Sequence, residues 1–296
     1  MNRAFDLTTS LLATLARLGS GAAVGSLGMR PEKTLELYEF EGCPFCRKVR
    51  EALSILDLDA MVYPCPKDGP RFRPEVERRG GKQQFPYLVD ENAGKEIYES
   101  DDIVKHLWQR YGTGGPPLAL SLGPLTDASA MLASAARLGS GASYRAAKRP
   151  AKPLELWSFE ASPFCRIVRE ALCELEIPYR LHNVAKGSPR RQSFVARSGK
   201  MMVPYLVDPN HDVAMFESPA KAYMRIKREK PVAVIVYLAF DSATEFLLLT
   251  MLKLDPETAA IPIWTCADLR EARHIELLDF GQAGDSCCSS SCFQHS

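Results

Sequence analysis

The stretch Leu35-Glu36-Leu37-Tyr38-Glu39-Phe40-Glu41-Gly42-Cys43-Pro44-Phe45-Cys46 decides how the chain folds. Leu35 to Phe40 is short, apolar-rich and ends at a turn, which is the pattern of a strand. Beyond it, Val49, Ala52, Leu53 and Leu56 keep the i, i+3, i+4, i+7 spacing of one apolar helix face. A Cys-x-x-Cys pair therefore lies between a strand and the first turn of a helix. Working outward, Ala60 to Cys65 reads as a second strand, and Arg71 to Arg79 as a short polar helix closed by Gly80-Gly81. Phe85 to Val89 and Glu96 to Tyr98 flank Asn92-Ala93-Gly94 as an antiparallel hairpin. A last helix is expected to open at Ser100 as its N-cap, with Asp101 and Asp102 suiting the positive helix end. Its apolar stripe is Val104, Leu107, Trp108 and Tyr111. The order β-α-β-α-β-β-α implies a mixed four-stranded sheet with helices on its faces.

The whole unit then recurs. Pro44-Phe45-Cys46-Arg47 returns as Pro163-Phe164-Cys165-Arg166, and Val49-Arg50-Glu51-Ala52-Leu53 as Val168-Arg169-Glu170-Ala171-Leu172. Pro86-Tyr87-Leu88-Val89-Asp90 returns as Pro204-Tyr205-Leu206-Val207-Asp208, and Glu99-Ser100 as Glu217-Ser218. Even the lead-in Ala16-Arg17-Leu18-Gly19-Ser20-Gly21-Ala22 is repeated as Ala136-Arg137-Leu138-Gly139-Ser140-Gly141-Ala142, and the offset drifts only between 118 and 120. So many matches in one order are a duplication. The chain divides into a helical lead-in (1–32), a first unit (33–112), a linker with a helix from Thr126 to Arg137 (113–151), a second unit (152–229) and an atypical, partly disordered tail (230–296).

Composition narrows the class. With 296 residues, 46% hydrophobic and 25% charged, the chain is an ordinary globular protein of about two domains. A net charge of +1 argues neither for nor against any partner, and no Lys/Arg run is long enough to suggest a nucleic-acid surface, so no nucleic-acid partner is expected. Val232 to Leu252, the most apolar stretch, is broken by Asp241 and Glu245, so no membrane span is expected. Nine cysteines, an odd number with one Cys-x-x-Cys pair, do not make a secreted disulfide scaffold.

The chemistry concentrates on the first unit. At a helix start, unpaired N–H groups and the helix dipole favour a thiolate at Cys43, and Arg47 and Lys48 are expected to add positive charge. Cys46, one turn on, is placed to resolve a mixed disulfide. The other readings of such a pair are an inert core pair and a zinc half-site. The chain lacks the second Cys-x-x-Cys or His pair that a zinc site wants, so no metal is expected. Phe85-Pro86 and Val203-Pro204 each precede a strand, and a cis bond there would expose the backbone of the preceding residue to a peptide-like thiol. Glu99-Ser100 and Glu217-Ser218 open a helix and suit a carboxylate. Ser162 stands where Cys43 stands, with Cys165 at the resolving position, so the second unit is expected to be structural or to bind a thiol without turnover. Cys65 and Cys173 are expected to be buried, His106 to be a solvated helix residue, and Cys287, Cys288 and Cys292 to lie in a Ser-rich tail.

Residues 35–46, 80–86 and 98–103, with 160–165 and 214–218 in the second unit, resemble plant and algal plastid proteins that carry two glutaredoxin-like, glutathione transferase N-terminal-type domains in tandem. That resemblance implies an α/β architecture of two tandem thioredoxin-fold domains, each with a mixed four-stranded sheet, and a chloroplast location. It implies a glutathione site built from Pro44, Phe45, Phe85, Pro86, Glu99 and Ser100, with Ser162, Cys165, Val203, Pro204, Glu217 and Ser218 as weaker counterparts. Only about forty residues separate the units. The large helical domain of a conventional transferase is thus missing there, and that activity is not expected. The expected function is a glutathione-dependent thiol–disulfide oxidoreductase using Cys43 and Cys46, with glutathione as co-substrate and protein thiols or disulfides as partners. The alternative is a glutathione-binding or assembly protein without turnover; iron–sulfur ligation by Cys43 with glutathione is a third.

Overall fold

The computed structural model describes residues 3–121, 123–147, 149–210 and 213–216, with short stretches at 226, 234–238, 252, 255, 257–261, 263–267 and 276–277. After the lead-in helix α1 (Arg3–Ala16), the first unit runs β1 (Leu35–Glu39), α2 (Pro44–Ile55), β2 (Ala60–Pro64), α3 (Arg73–Gly80), β3 (Tyr87–Asp90), β4 (Lys95–Tyr98) and α4 (Ser100–Tyr111). Two linker helices follow, α5 (Leu118–Ser121) and α6 (Pro124–Ala135). The second unit repeats the order as β5 (Leu154–Ser158), α7 (Pro163–Glu174), β6 (Tyr179–Asn183), α8 (Arg191–Ser198), β7 (Tyr205–Asp208) and β8 (Val213–Phe216). This is the expected mixed α/β, thioredoxin-like fold.

Local chemistry sets the boundaries. Pro44 and Pro163 open α2 and α7, where a missing N–H costs nothing. Gly81 ends α3 in the left-handed region at φ +79°, donating its N–H to the Glu77 carbonyl at 2.8 Å. The β3–β4 hairpin is tied by the buried Asp90, which accepts from the Asn92 N–H at 3.0 Å and from the Tyr111 hydroxyl at 2.8 Å. His106 also reaches Asp90, at 2.8 Å, and is buried. The expectation of a solvated His106 is corrected: α4 turns this face onto the sheet, and Asp90 satisfies the ring.

Each unit contributes four strands, but they do not form separate sheets. Strand β2 pairs antiparallel with β6, Val62 opposite Tyr179, giving one eight-stranded sheet in the order β4-β3-β1-β2-β6-β5-β7-β8. One apolar core crosses this seam, joining Leu35, Leu53 and Leu88 to Leu156, Leu172 and Leu181. The lead-ins pack crosswise. Helix α1 lies on α7 of the second unit, with Ser10 Oγ donating to the Pro163 carbonyl at 2.8 Å, and α6 lies on α2. Beyond them, Val24 N–H donates to Lys186 O at 2.8 Å, and Lys67 N–H to Ala142 O at 2.6 Å.

The seam is charged as well as apolar. Glu160 accepts from Arg47 (3.2 Å), Arg50 (2.9 Å) and Arg169 (2.6 Å), while Arg169 also donates to Glu41 at 3.1 Å. Arg17 grips Glu51 at 2.6 Å, and its counterpart Arg137 grips Glu170 at the same distance. All of these side chains are buried.

Ser218–Ser296 form a separate compact unit. Within it, β9 (Val234–Leu238) pairs parallel with β10 (Ile263–Ala267), and β11 (Glu276–Leu277) pairs antiparallel with β10.

Candidate functional site

The turn between β1 and α2 holds Cys43 as the N-cap of α2, with extended backbone at φ −78° and ψ 123°. Its Sγ accepts the Cys46 N–H at 3.3 Å, one of the donors a helix start leaves unpaired. That geometry separates the two thiols. A second bond, from the Cys46 thiol itself, holds the Cys43 thiol below its ordinary value, against the opposing effect of burial, with the backbone N–H groups of Cys46 and Phe45 helping. Burial first, and then the same bond to Cys43, push the Cys46 thiol well up. The pair is thus polarised into a thiolate-forming residue and a protonated one.

The expected contribution of Arg47 and Lys48 is corrected. Arg47 points into the seam and pairs with Glu160, and Lys48 spans Asp101 (2.5 Å) and Asp127 (2.7 Å). A helix turns each residue by about 100°, so cations next in sequence to Cys46 face away from the thiol. The charges beside the thiols are instead the buried carboxyl of Glu39, which opposes ionisation of both, and the Arg50 guanidinium, which favours that of Cys46.

Within the first unit the other residues converge on the same end of the sheet, whereas β6 runs antiparallel to β2, which puts the Val203-Pro204 loop at the opposite end. Phe85-Pro86 and Val203-Pro204 are both cis. The Phe85 ring meets Phe40, two residues before Gly42, edge-on at 6.3 Å, and the Arg73 guanidinium lies 4.7 Å over Phe85. Gln84 Nε2 donates to Glu99 Oε1, linking the cis-proline loop to the start of α4. The N-cap of α4 is Glu99, not Ser100 as expected; Ser100 is the first helical residue and is buried. Glu99 adopts φ +63°, a strained region for a residue with a Cβ, and caps no N–H with its side chain. Its carboxylate faces solvent and the first N–H groups of α4 lack a side-chain cap, which fits an amino-acid-like ligand. Phe45, next to the thiols, is 37% exposed and offers an apolar edge.

Cys43 itself is only 3% exposed. The second lead-in covers its loop: Gly42 donates its N–H to Gly141 O at 3.3 Å, and Ala142 packs on Gly42. In the second unit Ser162 takes the Cys43 position, accepting the Cys165 N–H at 3.3 Å, and Cys165 is buried with its thiol pushed up by that burial. Val203 and Pro204 occupy the loop before β7, while Glu217 and Ser218 lie outside the described residues, as do Cys287, Cys288 and Cys292. Cys65 and Cys173 are buried, Cys173 Sγ accepting the Glu41 N–H at 3.4 Å. Among the described residues no His/Cys/Asp/Glu group could hold a metal ion, and no helix is long and apolar enough to cross a membrane.

Sequence reasoning missed Glu39 and Arg73. A signal for Glu39 was present, since it continues the inward phase of Leu35 and Leu37 on β1. Arg73 carried none, because only the tertiary fold lays it over Phe85.

The sequence model of the glutathione S-transferase N-terminal domain matches residues 37–117 and 156–220. A solved glutathione transferase of Bombyx mori shares 25% identity over 29% of this chain and 39% of its own length, with a TM-score of 0.26. The chain thus spans about two fifths of that enzyme. No curated protein matches. With the strand order and the cis-proline loops, the matched segments make this a chain carrying the glutathione S-transferase N-terminal, thioredoxin-like domain.

Proposed function

We propose that the chain is a glutathione-dependent thiol–disulfide oxidoreductase centred on Cys43 and Cys46. The observation that carries this reading is the placing of Cys43 as the N-cap of α2, with its thiol lowered while that of Cys46 is raised. In the proposed cycle the Cys43 thiolate attacks a glutathione or protein mixed disulfide. Cys46, or a second glutathione, then releases the product. Glutathione lies against the Phe85-Pro86 loop, with its γ-glutamyl end at Glu99 and Ser100. The first N–H groups of α4, without a side-chain cap, support that orientation.

The test is a pH titration of Cys43 alkylation together with turnover of a glutathione mixed disulfide. The reading expects a midpoint below the ordinary thiol value of about 8.5, and turnover that disappears in Cys43→Ser. An ordinary midpoint with no turnover refutes it. One observation favours a second reading, a glutathione-binding or assembly protein without turnover: the lead-in around Gly141 and Ala142 covers the Cys43 loop. Glutathione binding without turnover would establish that second reading. A chloroplast location is also proposed, on sequence resemblance alone, and a fluorescent fusion seen outside plastids would reject it.

A further inference from the structure

The two lead-in helices turn their leucines outward. Leu11, Leu12 and Leu15 of α1 are 47–59% exposed, and Leu125, Met131 and Leu132 of α6 are 49–70% exposed. A turn of about 100° per residue sets each group opposite the buried side of its helix. That buried side, through which α1 lies on α7 and α6 on α2, is small or polar: Ser10 and Ala13 on α1, with Arg17 just beyond it, and Ala130 and Ala133 on α6. A helix on the surface of a monomer normally buries its leucines and shows polar groups to water. Both lead-ins do the reverse. No charge interrupts the outward side: Leu7 to Ala16 contains none, and Leu125 to Ala135 only Asp127, which is tied to Lys48 at 2.7 Å.

The two helices are also copies of one another, Leu11-Leu12 recurring as Met131-Leu132. They pack side by side and antiparallel. Arg17, past the end of α1, donates to the Thr126 carbonyl at the start of α6 at 3.1 Å, and Arg137, past the end of α6, donates to Thr9 Oγ1 near the start of α1. The outward face therefore has its own approximate twofold axis, running between the helices. With Leu18 and Leu138 at its ends, the face exposes roughly 900 Å² of apolar residues, where the largest patch of a typical monomer is about 300–600 Å².

We propose that this face is a homodimer interface, in which α1 and α6 of one chain pack on α1 and α6 of a second copy as a layer of four helices. Three features select a second copy as the occupant. A stable interface takes about 800 Å² from each partner, and the face supplies that area. A face with its own twofold axis meets an identical face isologously, so each contact is made twice and the assembly closes at two chains. Depletion of charge is the composition of an interface core. A bilayer is the other apolar partner, but helices that lie on one carry Lys or Arg beside the apolar side, and Leu7 to Ala16 has neither.

The experiment is sedimentation velocity on the full-length chain from about 1 to about 100 µM, which should show a dimer with a micromolar or lower dissociation constant. Leu12→Glu combined with Leu132→Glu places one charge on each helix of the face. It should weaken the dimer at least about a hundredfold while the far-ultraviolet circular dichroism stays that of wild type. A wild-type chain that is monomeric at the highest concentration overturns the proposal, and so does a dimer that the double variant leaves intact. A monomer that floats with phosphatidylcholine vesicles assigns the face to a bilayer and overturns it too. If the double variant does not fold, hydrogen exchange of wild type decides. Backbone amides of 7–18 and 125–138 should exchange more slowly at the highest concentration than at the lowest, and equal exchange at both overturns the proposal.

Discussion

Replacing Glu160 by Gln should cost the native state about 3 kcal/mol at pH 7, because this one carboxylate is shared by four guanidinium groups of the seam. Glu160 is buried and bonded by Arg47, Arg50 and Arg169, with Arg166 at 3.9 Å. Burial alone would raise its carboxyl, but Arg169, Arg50, Arg47 and Arg166 together hold it at about 2, against an ordinary 4.5. At about 1.4 kcal/mol per tenfold change in proton affinity, that depression corresponds to about 3 kcal/mol. Truncating one partner of a buried ion pair gives the same scale. Glutamine keeps the volume and one acceptor but removes the charge. Because the folded carboxyl is the more acidic, its contribution is full above the unfolded value of 4.5 and is lost as pH falls towards 2. Urea unfolding of both chains, followed by far-ultraviolet circular dichroism, should therefore show a deficit that is largest at pH 7 and shrinks steadily below pH 4. Comparing variant with wild type at each pH cancels the groups that titrate alike in both. Glu39 runs the opposite way: its raised carboxyl weakens the native state as pH rises from 4.5 to about 7. A deficit below about 1 kcal/mol at pH 7, or one that does not shrink in acid, would refute the reasoning.

Four further outcomes are expected. Gly141→Ala should destabilise the chain by about 2 kcal/mol in the same urea assay, since φ is +71° and the new Cβ would lie 2.8 Å from Glu41 Cβ. Gly139→Ala, with φ +85° but nothing within 4 Å, should cost only about 1 kcal/mol. Glu99→Ala should raise KM for glutathione about tenfold with a smaller change in kcat, because the proposed orientation sets this carboxylate against a part of the ligand remote from sulfur; an unchanged KM counts against that orientation. Iodoacetamide should alkylate Cys43 with a midpoint below that of Cys46, as mass spectrometry of the two positions will read, since the first thiol is lowered and the second raised.

How much of this was legible in the chain depends on the range of the interaction. Strand β1, the apolar face of α2, the glycine stop at Gly81 and the Asn92–Gly94 turn are set within about ten residues of chain by period, caps and turn chemistry. The duplication is visible by inspection, and with it the serine, Ser162, that stands at the Cys43 position. The helix-start position of Cys43 follows from the same local pattern. Other features turned on contacts far apart in sequence. Arg47 and Lys48 look like electrostatic helpers of the thiol because they follow it, yet the helix swings them to Glu160, Asp101 and Asp127. His106 looks like a surface residue until Asp90 is found beneath it. The joining of β2 to β6 could not be read from either unit, because an edge strand carries no local mark of its partner. The sequence by itself thus determined the two units, their elements and the dithiol at the helix start. Only the tertiary structure decided that the units share one sheet, that the lead-ins pack crosswise over α2 and α7, and that Glu39 and Arg50 rather than Arg47 and Lys48 lie beside the thiols. The physical reason is that caps and periodicity act between chain neighbours, whereas burial, ion pairing and strand pairing at the seam act between residues more than a hundred positions apart.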